Sequence, residues 1–395
     1  MTSQEMTTER KKNLKALAKK MSTQQRDPLP VNKQLIDCFD VFITPEENAY
    51  LLKLGKDPCT YEELSALSDL PEESFRSFYN TMRSKGLLWP TFEEDGRERY
   101  SLAGIMVGWF EMVLSDGKER PEQKEFARRL EKYFHSMKKI NFFPLRSYVN
   151  HLTRKQPQAP RTIAVTKRLN DDTATVKVDV NIPLDKSELR VYPAKSVNEL
   201  IVKYGDQNKI AVMHCFCRQW KKFVDEPCRF HVTGESCIVI GDFSTHIVDT
   251  GIGRVITKED ALELIQDLQQ KGAVHQIFYP KDNIDLPEMA ICNCCWDCCG
   301  VIGSYNRGIL PLRLKAYYKA HIAAGDACTG CGTCVKYCPT WAVSVVNQKS
   351  HIDINKCIGC GQCELQCPEG VISLVPEERD VILPLRKKSE ARISS

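Results

Sequence analysis

Nowhere in these 395 residues does the chain run apolar for the ~18 positions that a membrane span needs. The longest candidate, Ser101–Leu114, is too short and carries Glu111. The opening segment, MTSQEMTTERKKN, lacks the apolar core of a secretory leader, which predicts a cytoplasmic location. No P-loop Gly-Lys-Ser/Thr is present, and no GxGxxG sits between a strand and a helix. Gly251-Ile252-Gly253-Arg254 is too short a glycine signal to hold a phosphate alone. ATP and nicotinamide chemistry are therefore unsupported, and no Ser/His/Asp constellation can be argued. Apolar residues are not scarce: 42% hydrophobic and 27% charged exclude general disorder. Cysteine is in excess, at 19 residues. A reducing cytosol disfavours disulfides, so these thiols point to metal or redox chemistry.

The formal net charge of +4 is unevenly placed. Residues 1–30 carry seven Lys/Arg against three acids, and residues 383–395 carry four against one, so the body between is slightly acidic. Basic ends can touch nucleic acid or an acidic partner. The plainer expectation is solvated arms, with a mobile basic helix at 8–21.

From Thr44 the pattern is helix, helix, helix, hairpin. Thr44-Pro45-Glu46-Glu47 is a capped start, and Thr60 with Glu63 forms a second capping box. A third helix opens at Pro71-Glu72-Glu73 and stops at Gly86, before two strands around Asp95-Gly96. This order resembles a winged-helix domain. Between Thr44 and Ile105, however, seven Lys/Arg face twelve Asp/Glu. Such a surface mostly repels phosphates, so protein docking is favoured over DNA binding. Helices are expected near 103–114 and 120–138, a linker at 155–160 and a hairpin over 161–179. A helix is expected at 196–204, a buried strand at 209–214, and a helix from Thr257 to Gly272. A helical connector is expected at 310–321. Cys38 and Cys59 read as ordinary buried thiols.

The C-terminal cysteines form an internal repeat. Cys328, Cys331, Cys334 and Cys338-Pro339 recur as Cys357, Cys360, Cys363 and Cys367-Pro368, each as C-x2-C-x2-C-x3-C-P. Residues 320–375 closely resemble the bacterial two-cluster ferredoxins. That resemblance implies two 4Fe–4S clusters and a crossed ligand set. Cys328, Cys331, Cys334 and Cys367 would hold one, and Cys357, Cys360, Cys363 and Cys338 the other. Gly330, Gly332, Gly359 and Gly361 would let backbone N–H groups approach the cluster sulfurs. A zinc pair is the alternative, but zinc knuckles need no fourth Cys followed by Pro.

A second field holds Cys215, Cys217, Cys228, Cys237, Cys292, Cys294, Cys295, Cys298 and Cys299 as candidate metal ligands. Cys215 and Cys217, at the end of an extended strand, would share a face. Cys292, Cys295 and Cys298 repeat the C-x2-C-x2-C rhythm, with a remote fourth ligand required. Nine thiols suffice for up to two further four-thiolate clusters. Zinc, or one unusual cluster with a histidine ligand such as His275, are the alternatives; His214 and His231 are weaker candidates. Residues 190–316 resemble the cysteine-rich segment of a group of iron–sulfur binding proteins from anaerobes, through His214-Cys215-Phe216-Cys217-Arg218, Gly272-Ala273-Val274-His275 and Ile291-Cys292-Asn293-Cys294-Cys295. That group often has Cys where this chain has Asp297.

The expected fold class is α+β multidomain. It comprises a basic arm (1–32), a winged-helix-like domain (33–105), a helical segment and β-hairpin linker region (106–189), a central α/β cysteine-rich domain (190–316), a C-terminal ferredoxin-like two-cluster domain (317–375) and a basic tail (376–395). The expected function is cytoplasmic iron–sulfur electron transfer to or from a partner oxidoreductase. The alternatives are a reductase with a site-differentiated central cluster and a redox-sensing transcription regulator.

Overall fold

The computed structural model describes residues 6–24, 29–93, 96–137, 161–163, 194–279 and 289–386. The chain opens with α1 (Thr8–Ser22) and α2 (Lys33–Phe42). Leu14, Leu17, Ala18 and Met21 make a helical stripe on α1 that is fully buried. The basic N-terminal segment is therefore docked over this helix, contrary to the expected mobile arm. Its charges are partly used in place. Lys20 Nζ donates to Leu51 O at 3.2 Å, Leu52 O at 2.9 Å and Leu54 O. Those carbonyls close α3 (Pro45–Lys53), where a cation opposes the helix dipole. Arg10 pairs with Asp40 at 3.0 Å. The arm thus has fewer free cations to offer phosphates than its sequence suggests.

After α3 come α4 (Tyr61–Ala66), α5 (Glu72–Ser84) and the hairpin β1 (Leu88–Phe92) with β2 (Glu98–Leu102), in the expected order. The reciprocal capping boxes Thr44/Glu47 and Thr60/Glu63 both form. Cys38 is buried in this core, as expected, whereas Cys59 is half-buried and bridges Tyr100. A single π turn at Ile105–Trp109 leads into α6 (Phe110–Leu114), followed by α7 (Pro121–Met137).

The second half is built on a sheet that has eight strands among the described residues. Chain order runs β3 (Arg161–Ile163), α8 (Ala194–Gly205), β4 (Ile210–His214), α9 (Phe216–Phe223), β5 (Glu235–Ile240), α10 (Asp242–Asp249), β6 (Gly253–Val255) and α11 (Lys258–Gln270). It continues with β7 (Val274–Phe278), β8 (Ala290–Cys294), α12 (Ile302–Asn306), β9 (Leu312–Ile322), α13 (Thr333–Tyr337), β10 (Val343–Val346), β11 (Lys349–Ile352), α14 (Gln362–Leu365) and β12 (Ile372–Leu383). The sheet order is β12-β9-β3-β7-β8-β5-β4-β6, and among the described residues every pairing in it is antiparallel except β3 with β9. Of the hairpin expected over 161–179, only Arg161–Ile163 lies among the described residues; the expected linker at 155–160 lies outside them.

One expectation fails outright. The segment expected as a helical connector at 310–321 is β9, an eleven-residue strand. Leu312, Leu314, Ala316 and Ala320 alternate along it and are buried, which is a period of two rather than 3.6. β9 pairs with β12 over most of its length. The expected boundaries at 316 and 375 thus fall inside paired strands, so the central and C-terminal regions share one sheet. The start of the expected basic tail is also strand, and Val381 and Leu383 are buried.

Candidate metal centres

The two C-terminal cysteine loops lie between β9 and β12 and are built alike. Gly330 (φ +69°) and Gly359 (φ +67°) occupy equivalent turns. A Cβ on Gly330 would come 2.6 Å from Gln348 O, and one on Gly359 would come 2.1 Å from Tyr318 O. Only glycine allows both the left-handed turn and that approach. The loops then enter α13 and α14 through the left-handed glycines Gly332 and Gly361.

Cys338 crosses from the first loop to the second. With Cys357, Cys360 and Cys363 it lines a small hollow walled by Ala320, Ala342, Val343 and Ile358. In the first loop, Cys334 lies within electrostatic reach of Cys331 and of Cys367 from the second. Ser350 Oγ stands 3.5 Å from Cys328 Sγ and 3.3 Å from Cys334 Sγ. The Ser350 hydroxyl holds the Cys328 thiol below its usual range, and the Thr333 hydroxyl does so for Cys331. Burial pushes Cys360 and Cys363 up instead. Ala342 N donates to Cys338 Sγ at 3.2 Å. The donor set, its spread around a cavity and the N–H donor suit cubane clusters. Cys331 is exposed, and the thiols of the second loop are buried.

The central thiols gather at one end of the sheet, where β4 and β8 finish and β5 and β7 begin. Cys215 and Cys217 do not lie on one extended strand. β4 ends at His214, Cys215 is the N-cap of α9, and Cys217 lies in its first turn. The strand-to-helix turn brings the pair together. On β5 and β8, Cys237 faces Cys292 across the ladder. Contacts run on from Cys292 to Cys294, from Cys294 to Cys299, from Cys299 to Cys217, and from Cys217 to Cys215. Three backbone donors aim at this set: Gly300 N to Cys217 Sγ at 3.1 Å, and Val301 N and Ile302 N to Cys299 Sγ at 3.3 and 3.4 Å. Hydrogen bonding from Cys217 and Cys294, together with the amides of Val301 and Ile302, holds the Cys299 thiol well below its usual range. Cys215 is likewise brought down to about 6, chiefly by hydrogen bonding from Cys217.

The other three thiols stand apart. Cys295 Sγ lies 3.2 Å from Cys228 Sγ and 3.0 Å from Cys298 Sγ. Sequence rhythm grouped Cys292 with Cys295 and Cys298; the fold replaces it with Cys228, because Cys292 faces Cys237 on the ladder. Asp297 completes the group, with its Oδ1 4.0 Å from Cys228 Sγ and its Oδ2 accepting from Arg229 N at 2.7 Å. Arg218 is 5% exposed and donates to Cys295 Sγ at 3.3 Å, to Asn293 O at 2.6 Å and to Ser236 Oγ. His275 is not among these thiols. Its Nδ1 donates to Asn293 Oδ1 at 2.5 Å, and Asn293 Nδ2 donates to Ser236 O. It therefore supports Arg218 from behind, and burial brings it down to about 4. His214 is held away too, with its ring wedged between Gly117 and Gly234.

The two fields touch. Cys299 and Cys360 are buried in one apolar cluster with Val274, Ile302, Tyr305, Leu314 and Ile358, and Cys294 packs against it. Trp296 meets Trp341 at 5.3 Å between ring centroids and Phe230 at 5.6 Å, and Phe230 meets Tyr337 at 5.8 Å. Gln362 Nε2 donates to Ala273 O at 2.6 Å and Gln269 O at 3.2 Å, tying α14 to the end of α11. Sequence reading missed Asp297 as a donor, Arg218 as a buried partner and this aromatic bridge. An arginine beside Cys217 and an aspartate between cysteines were the available signals.

Residues 327–372 match the family model of the 4Fe-4S dicluster domain, so this region near the C-terminus is a 4Fe–4S domain. Comparison with curated proteins and with solved structures gave no match. Among the described residues no helix is long and apolar enough to cross a membrane.

Proposed function

We propose that the chain is an iron–sulfur electron-transfer protein. Two 4Fe–4S clusters sit in the dicluster domain on the crossed ligand sets Cys328/Cys331/Cys334/Cys367 and Cys338/Cys357/Cys360/Cys363. A third is held by thiolates of the connected set Cys215, Cys217, Cys237, Cys292, Cys294 and Cys299. Such clusters, when bound, take up and release single electrons. The observation that carries this reading is the buried apolar cluster shared by Cys360 and Cys299. It keeps water from the boundary between the fields and holds them in fixed contact. The amides of Gly300, Val301 and Ile302 stabilise negative charge on Cys217 and Cys299, the charge that iron requires of its ligands. The exposed Cys331 marks the face on which a cytoplasmic redox partner, an oxidoreductase, docks.

The test is anaerobic purification of the full chain, followed by iron and sulfide analysis and EPR of the reduced protein. About twelve irons per chain are expected from three cubanes, with spin coupling between neighbouring clusters. A content near eight irons, with no third set of signals, would confine the clusters to the dicluster domain.

A further inference from the structure

We propose that Cys228, Cys295, Cys298 and Asp297 bind one tetrahedral zinc ion, a centre different in kind from the iron–sulfur clusters. The donor atoms of these four residues all lie within 4.8 Å of one another, and among the described residues no other group of three or more His, Cys, Asp or Glu converges in this way. The dicluster domain supplies an internal ruler. Its eight cysteines form no such knot, and four of them stand around a small hollow. A cubane places its own iron and sulfide between its thiolates and holds them apart. A single ion draws them to a point. With Zn–S bonds of ~2.3 Å, a tetrahedron has S···S edges of about 3.8 Å. The observed 3.2 Å and 3.0 Å between sulfurs are shorter than that edge and the 4.0 Å from Cys228 Sγ to Asp297 Oδ1 is close to it, so the sulfurs need separate by less than about 1 Å to close around one ion.

The surroundings fit the same ion. Asp297 is 4% exposed, and its Oδ2 is fixed by Arg229 N. A buried carboxylate beside three thiols is unfavourable unless a cation neutralises it. Three thiolates, one carboxylate and one Zn²⁺ carry net −2, and the buried Arg218 guanidinium on Cys295 offsets one of those charges. Ser236, Asn293 and His275 stand behind Arg218 as an outer shell. Zinc accepts carboxylate oxygen beside thiolate sulfur and does not change oxidation state, so the role is structural. The ion would pin the loop after α9 to the loop after β8, beside the aromatic bridge.

The experiment uses the full chain, isolated without oxygen from iron-replete cells, with elemental analysis and zinc-edge X-ray absorption. About one zinc per chain is expected in addition to the iron, with three sulfurs at ~2.3 Å and one oxygen at ~2.0–2.2 Å. Asp297→Ala is expected to release zinc to a chelator at least ten times faster, with iron and sulfide unchanged. Asp297→Cys is expected to keep the zinc and change its shell to four sulfurs, which decides the matter if Asp297→Ala does not fold. About sixteen irons with no zinc would overturn the proposal. So would a four-sulfur shell in the native chain, a lone iron in place of zinc, or loss of iron along with zinc in Asp297→Ala. None of these results depends on whether the other clusters transfer electrons.

Discussion

The two cysteine fields bring their thiols together by opposite routes. The C-terminal field is one loop used twice, with thiols, glycines and prolines at matched positions, so its spacing alone carries the design. The central field draws its thiols from a helix cap, two facing strands and two loops, and no spacing rule links them. A repeat loop can dictate its own metal site because its ligands are close in sequence. A site assembled at the end of a sheet depends on strand order. It brings a buried side-chain cation, Arg218, onto one of its thiols, whereas in the first C-terminal loop the hydroxyls of Ser350 and Thr333 stand beside the thiols.

Removing one thiol from each field tests whether the two are separate centres. Cys360→Ser and Cys299→Ser are each expected to cost about four irons per chain, from different clusters. Distinct losses in the EPR of the reduced protein would check it; identical spectra for the two variants would mean the fields are not separate centres. Next in size is Arg218→Leu. It removes a buried cation from among thiols and carbonyls and is expected to destabilise the folded protein by about 3–5 kcal/mol. Anaerobic thermal melts measure this, and a loss under 1 kcal/mol would deny Arg218 its place in the central field.

Acid should act on the central unit through His246. This side chain is 1% exposed, stacks on Phe243 and is brought down from 6.5 to about 3 by burial. The unfolded chain takes up the proton first, so its contribution is complete above pH 6.5 and is lost as pH falls from there toward 3. His246→Phe should flatten that part of the stability curve; an unchanged slope between pH 6 and 4 would refute the assignment. The smallest effect is expected in the C-terminal field. Arg379 donates to Ile354 O at 2.9 Å and to Cys357 O, bracing the second loop. Arg379→Met should cost about 1.5–3 kcal/mol and speed iron loss from that loop. Chelator-challenge kinetics would show it, and a variant as inert as the native chain would mean the loop braces itself.

What could be read from the residues in order was what depends on near neighbours. The capping boxes at Thr44, Thr60 and Thr257 all form, because cap and partner are three residues apart. The order of helices and hairpin between Thr44 and Leu102 follows local periodicity, and the cysteine repeat announces the 4Fe–4S domain by spacing alone. Two local signals are present in the chain and run against the expectation. The alternation in β9 marks a strand where a helix is expected, and the lysines of α1 mask its apolar stripe.

The central field was settled by tertiary structure. Cys228 lies 67 residues from Cys295 and 69 from Asp297, and they meet only because β4, β5 and β8 are neighbours in the sheet. Cys292 is turned toward Cys237 by ladder register, which no count of intervening residues contains. Short-range steric and hydrogen-bonding preferences are written into adjacent side chains. Convergence of distant loops instead comes from burying a whole sheet, and so belongs to the fold.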